Sequence, residues 1–298
     1  MNALDQGFKA VIHNSDILSW LIRSSVDELK GKSIEEIKSC LKIGKDGRTV
    51  IGRENEIDSP KNGKIVTDSV FDIRVPGTDR EISIIVNIEG QNDPHPRYPL
   101  EKRAEYYAAR LVSSQKGTDF VNDDYSRLRK VYSIWYVLRP RSGYRNTAVR
   151  YGMEAEILAG NPVNIPVMDT FNIVMIYVGS YDDSLPDESA FPAALFSQMN
   201  EEERHDVMKD RFNIEFDDFL DREVNRMASL GEDTYNHGFR EGKAEGRAES
   251  DIIAIEAATQ TIIRLVKDER WPLDKAMSTV VIPDELKEKV ETEVRKRL

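Results

Sequence analysis

Three polar side chains stand where a strand pattern calls for apolar ones. Asp72 falls within KIVTDSVFDIRV, and Glu89 and Gln91 fall within EISIIVNIEGQ. Pro76-Gly77-Thr78-Asp79 between the two runs marks a turn, so the pair reads as a β-hairpin. Glu89 and Gln91 are two residues apart and share a face. A carboxylate set among isoleucines and valines costs free energy unless it is paired or holds a cation. Two carboxylates brought together across the hairpin would form a hard-oxygen site suited to Mg²⁺ or Mn²⁺, ions that keep water and phosphate oxygens among their ligands. Such an ion stabilises charge on a phosphate in its transition state. The alternative is that Asp72 and Glu89 are exposed positions on a half-wetted strand; the register, and any bulge, decides which face each one shares.

Other chemistry is sparse. The chain has no Walker A loop, GxGxxG, HExxH or GxSxG pattern. His13, His95, His205 and His237 are scattered, and His205-Asp206 reads as a solvated helix face. Cys40 is the only cysteine, which excludes an intrachain disulfide framework and a CxxC metal knuckle; it is expected to be buried and inert. The net charge is −11 and the pI about 5.1, a balance that opposes non-specific binding to nucleic acid unless positive charge is gathered locally. It is gathered. Residues 126–153 contain Arg127, Arg129, Lys130, Arg139, Arg141, Arg145 and Arg150 with no Asp or Glu. Arginine forks on a loop after a buried strand could grip a DNA phosphate backbone. Equally, they could neutralise the acidic helices beyond residue 200.

The elements that must position these groups read as α/β. Asp5 opens a first helix through Phe8 and Ile12, Ser15 or Asp16 a second, and Ser33 with Glu36 forms a capping box for a third. After the hairpin, residues 98–115 are an amphipathic helix, and 131–138 and 170–179 are short buried strands. Beyond Pro186 the pattern turns helical, with a short helix over Phe191–Met199, while Glu201–Arg226 carries mixed charge with scattered apolar positions. GFREGKAEGRAE, at 238–249, predicts a weak helix or linker, because each glycine costs about 1 kcal/mol against alanine in a helix. The domain boundaries expected are 1–185, 186–235 and 236–298, the last a Gly/Glu-rich linker and helical tail through which the chain could self-associate. No apolar run is long enough to cross a bilayer and no signal peptide is evident, so a cytoplasmic location without membrane partners is expected.

The order of these pieces resembles the PD-(D/E)XK (restriction-endonuclease-like) superfamily, and more closely its nuclease-family transposases, the recombination-promoting nucleases. The matching pieces are Asp5-x-x-Phe8-Lys9, Asp72-Ile73-Arg74-Val75, Ile88-Glu89-Gly90-Gln91, Lys102-Arg103-Ala104-x-x-Tyr107, Gln115, Tyr125 and Val131-Tyr132-Ser133-Ile134-Trp135, with the glycine–glutamate tetrads near 240. The resemblance implies a mixed four-stranded sheet flanked by helices over 1–185, and metal-dependent cleavage of DNA linked to recombination or mobile elements. Asp72 and Glu89 would hold Mg²⁺ or Mn²⁺. Gln91 stands where the superfamily has lysine and could position water but not take its proton. Asp5 and Tyr107 would be accessory, and Arg103 could meet the Glu89/Gln91 end or the phosphate. Glu54 and Glu56 are further acids within reach. A competing reading is a nuclease-fold protein that binds DNA or assembles without cutting, for which Gln91 and the acidic surface speak.

Overall fold

The computed structural model describes residues 3–53, 56–57, 65–76, 82–91, 98–161, 163–165 and 168–298. Most of the expected turn after Pro76, together with Glu54 and His95, lies outside these residues, as do the side chains of Glu56 and His237. The chain forms two compact units, Met1–Gly231 and Glu232–Leu298.

The first unit opens with three helices, α1 (Ala3–Ile12), α2 (Ser15–Arg23) and α3 (Ile34–Ser39). Asp5 lies in the first turn of α1 rather than at its cap. Asn14, not Ser15 or Asp16, caps α2, its side chain accepting the N–H groups of Asp16 and Ile17. Ser33 and Glu36 form the expected capping box on α3. Two short strands, β1 (Glu56–Ile57) and β2 (Ile65–Val66), pair with each other. Then come β3 (Ser69–Val75), β4 (Ile82–Gln91), helix α4 (Leu100–Ser113), β5 (Lys130–Val137), β6 (Thr147–Tyr151) and β7 (Phe171–Tyr177). They build one mixed sheet of five strands, in the order β3-β4-β5-β7-β6. The β3–β4 hairpin is antiparallel, β4–β5 and β5–β7 are parallel, and β6 closes the edge antiparallel to β7. The expected four strands omit β6, whose five residues are mostly exposed and carry no alternating pattern.

Helices cover both faces of the sheet. Odd-numbered residues of β4, β5 and β7 face α4: Trp135, Val137, Ile173, Met175 and Tyr177 pack on Leu100, Ala104 and Ala108. Even-numbered residues such as Val86, Ile88, Tyr132, Ile134 and Ile176 join the larger core with α1 and α2. That core also takes in α5 (Asp187–Phe196), α6 (Glu201–Asp210) and the start of α7 (Asp218–Lys267). Trp20 shows why the first unit extends past residue 185. Its ring stacks on Phe191 at 5.6 Å, meets Phe212 edge-on, and donates its indole N–H to the Phe212 carbonyl at 3.1 Å. Within the helical pattern expected after Pro186, residues 211–217 are non-helical and separate α6 from α7.

The second unit contains the remainder of α7, α8 (Leu273–Thr279) and α9 (Lys287–Arg297), packed around Ile262, Ala276, Val290 and Val294. The glycine tetrads of 238–249 lie within α7, the helical of the two forms expected. Among the described residues no helix is long and apolar enough to cross a membrane.

Candidate functional site

The ladder between β3 and β4 decides which acids meet. Asp72 lies opposite Ile85, so it shares the α4-facing side of the sheet with Glu89 and Gln91. It does not sit beside them. Glu89 is four residues further along β4, roughly 13 Å at strand spacing. Continuing the register one step beyond Ser69↔Ile88 puts Asp68 opposite Glu89. The hydrogen bonds agree: the Asp68 N–H donates to Glu89 Oε1 at 3.1 Å, and the Gly90 N–H donates to Asp68 Oδ2 at 2.8 Å. The carboxylate that the sequence assigned to Asp72 is therefore supplied by Asp68.

Asp72 instead belongs to a charge network at the other end of the same face. Its carboxylate contacts Arg129 at 2.6 Å and Arg53 at 3.3 Å, and both arginines also pair with Asp119. Gln115, fully buried, accepts the Arg129 N–H at 2.8 Å and donates to the Arg129 carbonyl at 3.0 Å. Gln115 thus fixes the entry to β5.

Around Asp68 the elements converge. His13 steadies the start of β3, with Nδ1 2.8 Å from the Val50 carbonyl and Nε2 2.9 Å from Ser69 Oγ. Because a carbonyl only accepts, Nδ1 must carry the proton and Nε2 receives the serine hydroxyl. Gly90 separates Glu89 from Gln91 for a steric reason. A Cβ there would lie 2.8 Å from Cγ of Phe8 on α1, closer than real contacts allow. That approach brings Asp5 and Lys9 of α1 close enough for their charges to act on Asp68. Glu89 is buried at 3% exposure and Gln91 at 9%. Burial, chiefly, pushes the Asp68 carboxyl above its ordinary pKa, and the Asp5 charge adds to this; the Gly90 N–H, Lys9 and Arg103 oppose it.

Arg103 reaches the same place from α4. Its guanidinium lies over the rings of Tyr107 (5.0 Å) and Trp135 (5.3 Å), the residue paired with Glu89 across β4–β5. It donates to the hydroxyls of Tyr107 at 3.1 Å and Tyr98 at 3.2 Å. Burial works against its charge, but Tyr107, Tyr98 and Glu89 more than offset this and its pKa lies above the usual arginine value.

The basic stretch divides. Besides Arg129, Lys130 is committed to Glu28 (2.7 Å) and Asp169 (2.5 Å), and Arg150 to Asp27 (2.7 Å) and the Ser25 carbonyl (2.8 Å). These three serve the fold rather than an open DNA-gripping surface. Arg127, Arg141 and Arg145 are exposed, and Arg139 is half-buried.

The fold and this cluster define an α/β protein with a mixed sheet between helices and an acidic pair at the C-terminal end of a parallel strand, a common position for ligand sites in such sheets. No family model, curated protein or solved structure matches the chain.

Proposed function

We propose that the chain is a divalent-metal-dependent nuclease of the PD-(D/E)XK kind, hydrolysing DNA phosphodiester bonds in connection with recombination or mobile elements. The observation that carries this reading is the Asp68–Glu89 pair, opposed across neighbouring strands, with Gln91 on the same face and Arg103 beside it. The donor set fits Mg²⁺ or Mn²⁺: it offers hard carboxylate oxygens and no thiolate or imidazole. Partial burial is the chief cause of the raised Asp68 pKa, and a cation beside it would favour the ionised form. Asp68 and Glu89 would hold the ion, whose contribution when bound is Lewis-acid stabilisation of charge on the phosphate.

The remaining roles belong to the chain's own residues. Gln91 carries no titratable proton, so it orients the attacking water through its amide and leaves proton removal to another acceptor. Asp5 adds negative charge beside the pair. Arg103, held over two aromatic rings and tied to the Tyr98 and Tyr107 hydroxyls, offers its remaining guanidinium N–H groups to phosphate oxygens. Arg127, Arg141 and Arg145 hold the backbone further out. Self-association through the C-terminal unit is part of the same proposal and reads out by sedimentation of the full chain.

A second reading, a nuclease fold that binds DNA or assembles without cutting, is favoured by Gln91 in the lysine position and by the commitment of Arg129, Lys130 and Arg150 to acids. Supercoiled plasmid with Mg²⁺ or Mn²⁺ separates the two. Nicking by the wild type that is lost in Asp68→Asn and Glu89→Gln, yet kept in Asp72→Asn, supports cutting at this pair. Cleavage surviving in both of the first two variants refutes it. Binding without any cleavage by the wild type supports the second reading.

A further inference from the structure

A second cluster of metal-ligating side chains lies outside the acidic pair. Among the described residues, Glu201, His205 and Asp221 each offer a ligand atom, and the three atoms lie within 4.8 Å of one another. Glu201 and His205 are four apart on α6, so they stack on one helix face. Asp221 comes from the first turn of α7, and its carboxylate meets His205 Nε2 directly.

The two helices that carry the trio are fastened together one residue away from the imidazole. Arg204, 2% exposed, donates to the carbonyls of Ala194 (3.2 Å), Ser197 (3.1 Å) and Met199 (3.3 Å). It also donates to Asn225 Oδ1 at 2.8 Å, and Asn225 lies one turn after Asp221 on α7. The His205 ring is set edge-on against Phe216 at 5.6 Å. The ligands are therefore placed by a buried clamp and an aromatic wall, while His205 and Asp221 remain 40% and 24% exposed in their side chains, which leaves a path for an ion and for water. Glu202, Glu203 and Asp218, in the first turns of the same helices, make the surroundings acidic. That acidity raises the local concentration of cations.

We propose that Glu201, His205 and Asp221 form a transition-metal site whose ion is Zn²⁺. One imidazole nitrogen with two carboxylate oxygens suits zinc, with water completing the shell, and disfavours Mg²⁺ and Ca²⁺, which take oxygen alone. The site is separate from the proposed nuclease pair and does not depend on it.

The test uses full-length protein stripped of metal, in an Asp68→Asn/Glu89→Gln background that disables the other carboxylate pair. Calorimetric titration with Zn²⁺ alone should show one ion per chain. Adding Glu201→Gln or His205→Ala should each weaken binding by at least about tenfold, as loss of a ligand or its support does. Circular dichroism checks that both variants fold. Co²⁺ should give a visible absorption band that His205→Ala loses and Mg²⁺ should not displace. Absence of Zn²⁺ binding in the background protein, or binding unchanged by both substitutions, overturns the proposal.

Discussion

Gly90→Ala tests how the surroundings of the acidic pair are held together. The new methyl carbon would sit 2.8–2.9 Å from three atoms of the Phe8 ring. Ordinary carbon–carbon contacts are about 3.5–4.0 Å, so ring or strand must yield by roughly 0.7 Å. There is little room to yield. Phe8 is 1% exposed, its ring lies 5.5 Å from that of Phe196, and Phe196 lies 5.8 Å from Tyr136. Overpacking of this kind costs about 1–3 kcal/mol. Gly90 does not have a positive φ, so alanine regains about 0.4–1 kcal/mol by restricting the unfolded chain. Taking the middle of both ranges, the net loss is about 1.3 kcal/mol, or roughly 3–5 °C in Tm for a unit of this size. Phe8→Leu should rescue it, because the methyl then occupies space the ring vacates. The double variant should be more stable than the sum of the single losses by about 1 kcal/mol, the coupling expected of residues in contact. Thermal melts of the four proteins, followed by circular dichroism, measure this. A Gly90→Ala protein that melts with the wild type, or strictly additive losses, would refute the packing argument and with it the placement of Asp5 beside Asp68.

Three further outcomes follow from the same geometry. Burial raises the folded-state pKa of Asp68 above the reference value of 3.8, so the native state keeps this proton longer than the unfolded chain. The Asp68 contribution to metal-free stability therefore falls as pH rises from about 3.8 through the raised value. Asp68→Asn removes that loss while keeping an acceptor for the Gly90 N–H. It should be more stable than the wild type at pH 7 and lose its advantage below pH 4, as read by urea unfolding across pH; a less stable variant at pH 7 would contradict this. Asp72→Asn leaves Arg53 and Arg129 facing a neutral group and should cost about 1–3 kcal/mol in denaturant melts while sparing metal-dependent cleavage. Arg141→Ala with Arg145→Ala should weaken DNA binding uniformly across sequences and reduce the salt slope by about 2, measured by anisotropy; an unchanged slope removes this loop from the interface.

Much of the layout can be read from local patterns. The Ser33–Glu36 box, the apolar side of α4 and the paired hairpin strands each depend on residues close in sequence. Register does not. Asp68 and Asp72 are four apart and point the same way, so only the position of the turn chooses between them, and each shift of its centre by one residue moves the partner of Glu89 by two. A turn at Pro76-Gly77-Thr78-Asp79 is too early to bring Asp72 opposite Glu89, but taken alone it would put residue 66 there; the observed ladder, with Ser69 opposite Ile88, is centred one residue later and so selects Asp68. Charge counting misread Arg129 and Lys130, because their partners, Asp72 and Asp119, Glu28 and Asp169, are mostly remote in sequence. The pairing of His205 with Asp221 was hidden for the same reason. The glycines of α7 each weaken a helix locally, yet helical segments on both sides remove the need for a new nucleus.

The central claim is that Asp68 and Glu89, not Asp72, hold the divalent ion. Anomalous diffraction from crystals of the full chain soaked in Mn²⁺ tests it most directly. A peak between the Asp68 and Glu89 carboxylates, with oxygens at about 2.0–2.4 Å, is the predicted result. A peak at Asp72, or none at the Asp68–Glu89 pair under saturating Mn²⁺, would contradict the account.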